Sequence, residues 1–199
     1  MLGAGFRRPH FLPIFPVHRS NQIDASSRRC EAGEILFRSG ETGTAWRLTH
    51  GVIRLDQPEA GFAGLSIAGD ILGCETMLFG QYSFSATALT SCLIVSWPGE
   101  KQADSASLLD SLAHAQRRAA DLVALRGGQA VGRIMKLVRL LADREGRVIL
   151  PTRNDIADIT DLRFETVSRL IHSLVRDEVL SPIRIDGIHA TRSFSLNVA

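Results

Sequence analysis

Apolar positions along this chain follow two different periods, and the change between them falls near Pro98. Before it, short runs at 34–38, 45–49, 52–56, 64–67, 85–89 and 93–97 alternate or run apolar, and glycines at 33, 40, 43, 51, 61, 69, 73 and 80 supply corners. Many short strands with regular turns predict a sandwich or barrel. After it, Leu108, Leu112, Ala115, Ala119 and Leu122 alternate spacings of four and three, the seam of a coiled coil, with Arg117, Arg118 and Asp121 outside it. Gly127 and Gly128 then mark a hinge, and 130–142 reads as a helix burying Ile134, Leu137, Val138, Leu140 and Leu141. Residues 1–29 are basic and proline-containing, show no clear period, and read as an arm.

The stretch 150–180 predicts two short helices around a tight corner. Thr152 is placed to cap a helix over 153–159, with Asp155 in its first turn. A second helix over 163–175 carries Phe164, Val167, Leu170, Ile171 and Leu174 as one apolar stripe, and leaves Arg163, Glu165, Thr166, Ser168, Arg169 and His172 on its other faces. Asp186-Gly187, between Ile183 and Ile185 on one side and Ile188 and Ala190 on the other, signals a hairpin. A helix pair followed by a two-stranded hairpin makes a winged helix-turn-helix, whose second helix enters the major groove of DNA. Arg169 has the planar fork for guanine, Glu165 accepts from an exocyclic amine, and Ser168 permits close approach. Thr152, Arg153, Asn154, Arg163, Thr166, His172 and Arg184 are the expected backbone contacts, with His189 and Arg192 as further candidates from the hairpin.

Charge changes this picture little. The formal net charge is +2, so a DNA-binding face has to come from where the arginines lie. Three widely spaced cysteines, Cys30, Cys74 and Cys92, do not suggest a disulfide framework and point to a reducing compartment. No apolar run is long enough to span a bilayer, and Phe11 to Val17 is interrupted by Pro13 and Pro16, unlike the core of a signal peptide. A cytoplasmic protein with no membrane partner is expected.

The run DIADITDLRFETVSRLIHSLVRDEVL resembles the DNA-binding motif of the Crp/Fnr superfamily of bacterial transcription regulators, and Glu165, Ser168 and Arg169 match that family's base-reading positions. Phe164 and Ser168 stand where the cyclic-AMP receptor branch has arginine and glycine, so the chain looks more like the Fnr/FixK branch, which reads half-sites of the TTGA type. Asp161 stands where most relatives have a glycine in left-handed conformation, which Asp tolerates better than most residues. AGEILFRSGETG, HGVIRL and AGDILG resemble successive turns of the family's sensor domain. The resemblance implies an α+β fold: a β-roll (a cyclic-nucleotide-binding-like jelly roll) over 30–103, a dimerisation helix over 104–127, and a winged helix-turn-helix over 128–199. It further implies a homodimer on double-stranded DNA, with RNA polymerase as a partner.

In GDILGCETMLFGQYSFSATAL, Cys74 stands where cyclic-nucleotide sensors have glutamate and Phe84 where they have the phosphate-binding arginine. A phenylalanine cannot neutralise a buried phosphate, which disfavours a cyclic nucleotide. A cluster held by four cysteines of one subunit is ruled out by three cysteines. Haem, which some relatives bind, stays open through His10, His18, His50 and His114, as does redox chemistry at Cys30 beside Arg28 and Arg29; Cys74 and Cys92 read as core. The leading expectation is no cofactor. A cupin-like metal enzyme is the rival class, but there is no H-x-H, P-loop, nucleophile elbow or dinucleotide fingerprint, so no enzymatic activity is expected.

Overall fold

The computed structural model describes residues 27–97, 105–185, 188 and 192–197. The segment 1–26 with His10 and His18, the Asp186-Gly187 pair, His189 and Ala190 lie outside the described residues, as does the side chain of Leu108.

Two four-stranded antiparallel sheets form the first unit. The strands are β1 (Ser27–Cys30), β2 (Ile35–Phe37), β3 (Ala45–His50), β4 (Val52–Gln57), β5 (Gly61–Ile67) and β6 (Ile71–Leu72). A one-turn helix α1 (Thr76–Phe79) follows, then β7 (Ser85–Ala88) and β8 (Cys92–Trp97). One sheet has the order β1-β8-β3-β6, the other β2-β7-β4-β5. Their inner faces enclose Leu36, Phe37, Leu48, Ile53, Leu72, Tyr82 and Ile94. Tyr82 stacks on Phe37 with ring centroids 3.7 Å apart, and its hydroxyl donates to the Thr44 carbonyl at 2.7 Å. Its ring lies against Gly43 and Gly73, where any Cβ would overlap it. Gly51 turns β3 into β4 at φ +94, and a Cβ there would meet the Cys92 sulfur, so both space and backbone require glycine.

Six of these strands match the alternating runs within a few residues. β1 was unforeseen: it starts at Ser27, inside the stretch read as an arm, because pairing with β8 organises Ser27 to Cys30 where no local period exists.

The second unit begins with α2 (Ser105–Leu125) and continues through α3 (Ala130–Leu141), β9 (Arg147–Ile149), α4 (Arg153–Thr160), α5 (Phe164–Arg176), β10 (Leu180–Pro182) and β11 (Ser193–Leu196). β10, β11 and β9 form a three-stranded antiparallel sheet in that order. Leu180 faces Leu196 and Pro182 faces Phe194, and the Ile188 amide donates to the Ile185 carbonyl at 3.1 Å.

The seam read on α2 is divided in the structure. Leu122 packs partly buried on the chain's own core, whereas Leu112, Ala115 and Ala119 are exposed. Leu109 and Val123, absent from the predicted seam, are 67% and 76% exposed. Arg118, outside the seam as read, is buried and donates to Asp70 at 3.1 Å and Asp121 at 3.2 Å. The apolar surface of the helix thus runs from Leu122 on the core, through Leu112, Ala115 and Ala119 at the cavity beside the roll, to Leu109 and Val123 in the open.

The roll and the C-terminal unit share a core. Val52, Leu65, Ile67 and Leu89 from the roll join Leu125, Ile134, Leu137, Val138, Val148, Ile156, Ile159, Val167, Ile171 and Phe194 in one buried cluster. At about 25 cal/mol per Å² of apolar surface removed from water, such a cluster is the main cohesive force between the units.

Candidate nucleic-acid interface

The interface is built on α4 and α5. Thr152 caps α4 as its sequence position predicts: its hydroxyl oxygen accepts from the Asp155 amide at 3.2 Å, while the Asp155 carboxylate accepts from the Thr152 hydroxyl at 2.6 Å and amide at 3.3 Å. Asp161 ends α4 in the left-handed conformation, φ 52 and ψ 51. Its amide and that of Leu162 both donate to the Ala157 carbonyl. Arg133 of α3 donates to the carbonyls of Thr160 (3.1 Å) and Asp161 (3.3 Å), so the corner is held from outside as well.

From this corner α5 leaves with Arg163 as its N-cap residue. Val167, Ile171 and Leu174 are buried at 0%, 1% and 6% exposure and fix the rotation of the helix. Glu165, Arg169 and His172 are exposed, Thr166 and Ser168 half-buried. Thr166, Arg169, His172, Ser173 and Arg176 line an open concavity of about 670 Å³ along the helix. Glu165 and Arg169 stand four residues apart on one side of the helix with Ser168 at their flank, so all three present within little more than one turn. Phe164 departs from its reading as core. It is 46% exposed, because the corner places the first helical residue beyond the edge of the cluster.

The predicted backbone contacts divide. Thr152, Asn154, Arg163, His172 and Arg184 are exposed, and Thr166 is half-buried. Arg153 is half-buried too, and burial, together with the neighbouring Arg192, lowers its guanidinium from the usual range. Arg192 itself is not turned to solvent: it donates to the Leu150 carbonyl and, across the unit boundary, to the Leu89 carbonyl, both at 2.8 Å. Arg176, unnoticed in the sequence, adds an exposed cation at the end of α5, bonded to Asp177 at 3.0 Å and to Ser173. Its place one turn beyond His172 was the available signal.

A cavity of about 560 Å³ lies between β5 and α2, walled by Leu55, Leu65, Cys74, Phe84, Trp97 and Leu112 among others. Phe84 and Cys74 thus line the space in question, and the arginine there, Arg118, is engaged by Asp70 and Asp121. One cysteine reading changes, that of Cys74. Cys30 is fully buried, and burial pushes its thiol up despite Arg28 nearby, so it is not an activated thiol. Cys74 is exposed and not core. Cys92 is core as read, its thiol pushed up to about 11 by burial. Of the histidines, His50 is lowered by burial and by Arg29, and His114 lies exposed on α2, 3.6 Å from Asp110. Among the described residues no group of three His, Cys, Asp or Glu side chains could hold a metal ion, and no helix is long and apolar enough to cross a membrane.

No family model matches the chain, and no curated protein matches it. Solved structures do. A CRP family transcriptional regulator from Thermus thermophilus superposes with a TM-score of 0.62 at 22% identity, over 85% of this chain and 92% of its own. A second regulator of the CRP/FNR family from the same organism gives 0.56 at 23% identity, over 86% and 93%. FixK2 from Bradyrhizobium japonicum gives 0.62 at 22% identity, over 88% and 94%. With sheets, connecting helix, corner and wing all in place, the chain has the fold of the CRP/FNR family transcriptional regulators.

Proposed function

We propose that this protein is a sequence-specific transcription regulator of the CRP/FNR type that binds a TTGA-type palindrome as a homodimer. The observation that carries the reading is the outer face of α5, where Glu165, Ser168 and Arg169 project together from a helix whose opposite face is locked into the core. Arg169 reads guanine, Glu165 an exocyclic amine, and Ser168 permits close approach. Thr152, Asn154, Arg163, Thr166, His172 and Arg184 position the protein on phosphates, with Arg153 reaching them only by its outer part.

The exposed apolar residues of α2, Leu109 and Val123 with Leu112 and Ala119 beside them at the rim of the cavity next to β5, support pairing of this helix with its twin. One α5 spans too few bases for specificity, and two related by a two-fold axis read a palindrome. The protein acts without catalysis, in the cytoplasm, with RNA polymerase as its downstream partner and with no cofactor. A Soret band in the freshly purified protein would replace that last element with haem.

The test is fluorescence anisotropy with a labelled TTGA palindrome and a scrambled duplex, at fixed salt, beside sedimentation analysis of the free protein. Dimers that prefer the palindrome by at least about a thousandfold, the lower end for specific sites, are expected. Equal affinity for both duplexes would overturn the reading.

A further inference from the structure

α4 carries two carboxylates one turn apart, Asp155 and Asp158, and both meet the same residue of the roll. Arg54 of β4 places its Nε 2.8 and 3.0 Å from the two carboxylate oxygens of Asp56, on its own strand. Its Nη1 lies 2.8 Å from Asp158 Oδ2 and 3.4 Å from Asp155 Oδ1, about a hundred residues on in the chain. The Arg54 side chain is only 15% exposed. Phe62 of β5 lies beneath it, 5.6 Å from ring centroid to guanidinium carbon, and meets Arg126 at 5.0 Å. Arg126 in turn donates to the backbone carbonyls of Asp158 (3.0 Å) and Ile159 (3.4 Å).

One guanidinium therefore holds three carboxylates that would otherwise repel each other across the boundary between the units. A planar fork is needed, since a point charge on a flexible stem cannot address both sides with fixed geometry. Asp155 is also half of the cap that starts α4, so the contact acts on the first turn of that helix. α4 is coupled to α5 through the corner at Asp161 and the shared core.

We propose that Arg54 is a positioning residue for DNA recognition: by drawing Asp155 and Asp158 to Asp56 it fixes α4, and with it α5, at one distance and tilt from the roll, and so sets the half-site spacing that the dimer reads. The inference rests on the reading of the protein as a dimeric DNA-binding regulator. It assigns to a residue of the sensor unit, remote from the bases, a part in specificity.

The experiment uses the full chain and palindromes whose half-site separation is shortened or lengthened by one base pair. Arg54→Gln is expected to lose about tenfold on the preferred spacing, and clearly less on the altered ones, so that discrimination flattens. Adding Asp158→Asn to that variant removes part of the repulsion and is expected to recover most of the loss. Amide hydrogen exchange over Arg153–Thr160 gives a second readout, faster in Arg54→Gln and slowed again in the double variant. An unchanged spacing profile, or an equal loss on every spacing with unchanged exchange in α4, overturns the proposal. If the wild-type protein binds no palindrome, the functional reading fails by itself and takes the DNA part of this inference with it, while the exchange data still show whether Arg54 holds α4.

Discussion

Arg192 reaches from the wing to the roll: its Nη2 donates to the carbonyl of Leu89, 103 residues earlier, at 2.8 Å, while its Nε donates to Leu150 at the same distance. A residue placed by its sequence among hairpin cations able to approach phosphate is instead a tie between two units. Arg192→Ala should therefore cost roughly 1.5–3 kcal/mol in urea denaturation, the range for hydrogen bonds to charged groups. The salt dependence of DNA affinity should stay unchanged, since no phosphate contact is removed.

Arg169 makes the contrasting prediction. Arg169→Ala should leave folding intact, because the side chain is exposed, and should cost roughly 1–3 kcal/mol on the cognate palindrome with relaxed preference at one base. Arg163→Ala should weaken all duplexes alike and reduce the salt slope by about one. Binding measured on a set of single-base variants at several salt concentrations separates the two outcomes.

Phe164 and Ile171 both belong to the apolar stripe read from the sequence, yet only one is core. Phe164 is 46% exposed and Ile171 1%. Phe164→Ala should change stability by no more than about 0.5 kcal/mol, as surface substitutions do. Ile171→Ala should cost about 2–5 kcal/mol through lost transfer energy and the cavity left behind. Equal midpoint shifts in denaturant would contradict the burial pattern.

His50 gives a pH dependence. Burial, and then Arg29, lower its pKa from the ordinary 6.5, so the unfolded chain binds the proton more readily than the folded one. Stability is unaffected by His50 well above pH 6.5 and declines as pH falls through that value toward the lower folded pKa. A His50→Gln variant should lose this part of the decline, which chemical denaturation at a series of pH values from neutral downward would reveal.

How much of this was legible in the sequence follows from the range of each signal. The helix pair was readable because its determinants are local: the Thr152 and Asp155 cap, the left-handed Asp161, and the spacing of Val167, Ile171 and Leu174. Six strands of the roll were readable from alternation; β1, β6 and β9 are too short to show a period and form through their partners β8, β3 and β11. On α2 a periodicity count could not show that Leu122 packs partly on the chain's own core, because intramolecular and open apolar positions share one spacing. Arg54, Arg118 and Arg192 were missed because an arginine destined for a distant carboxylate or carbonyl looks, in one dimension, like any solvated cation. The reading of Cys74 as core has the same origin, since an apolar run does not show which of its positions the tertiary fold covers.

The cluster that joins Val52, Leu65, Ile67 and Leu89 to the helices beyond Gly128 means that the C-terminal half shares its hydrophobic interior with the roll, which keeps a second one between its own sheets. Severing the chain at the Gly127-Gly128 hinge would uncover Leu125 on one side and leave Ile134 and Val138 short of neighbours on the other. Either fragment would be an incomplete solid with a sticky open face. The C-terminal half in particular is a module in topology only, since part of the wall of its interior is the roll.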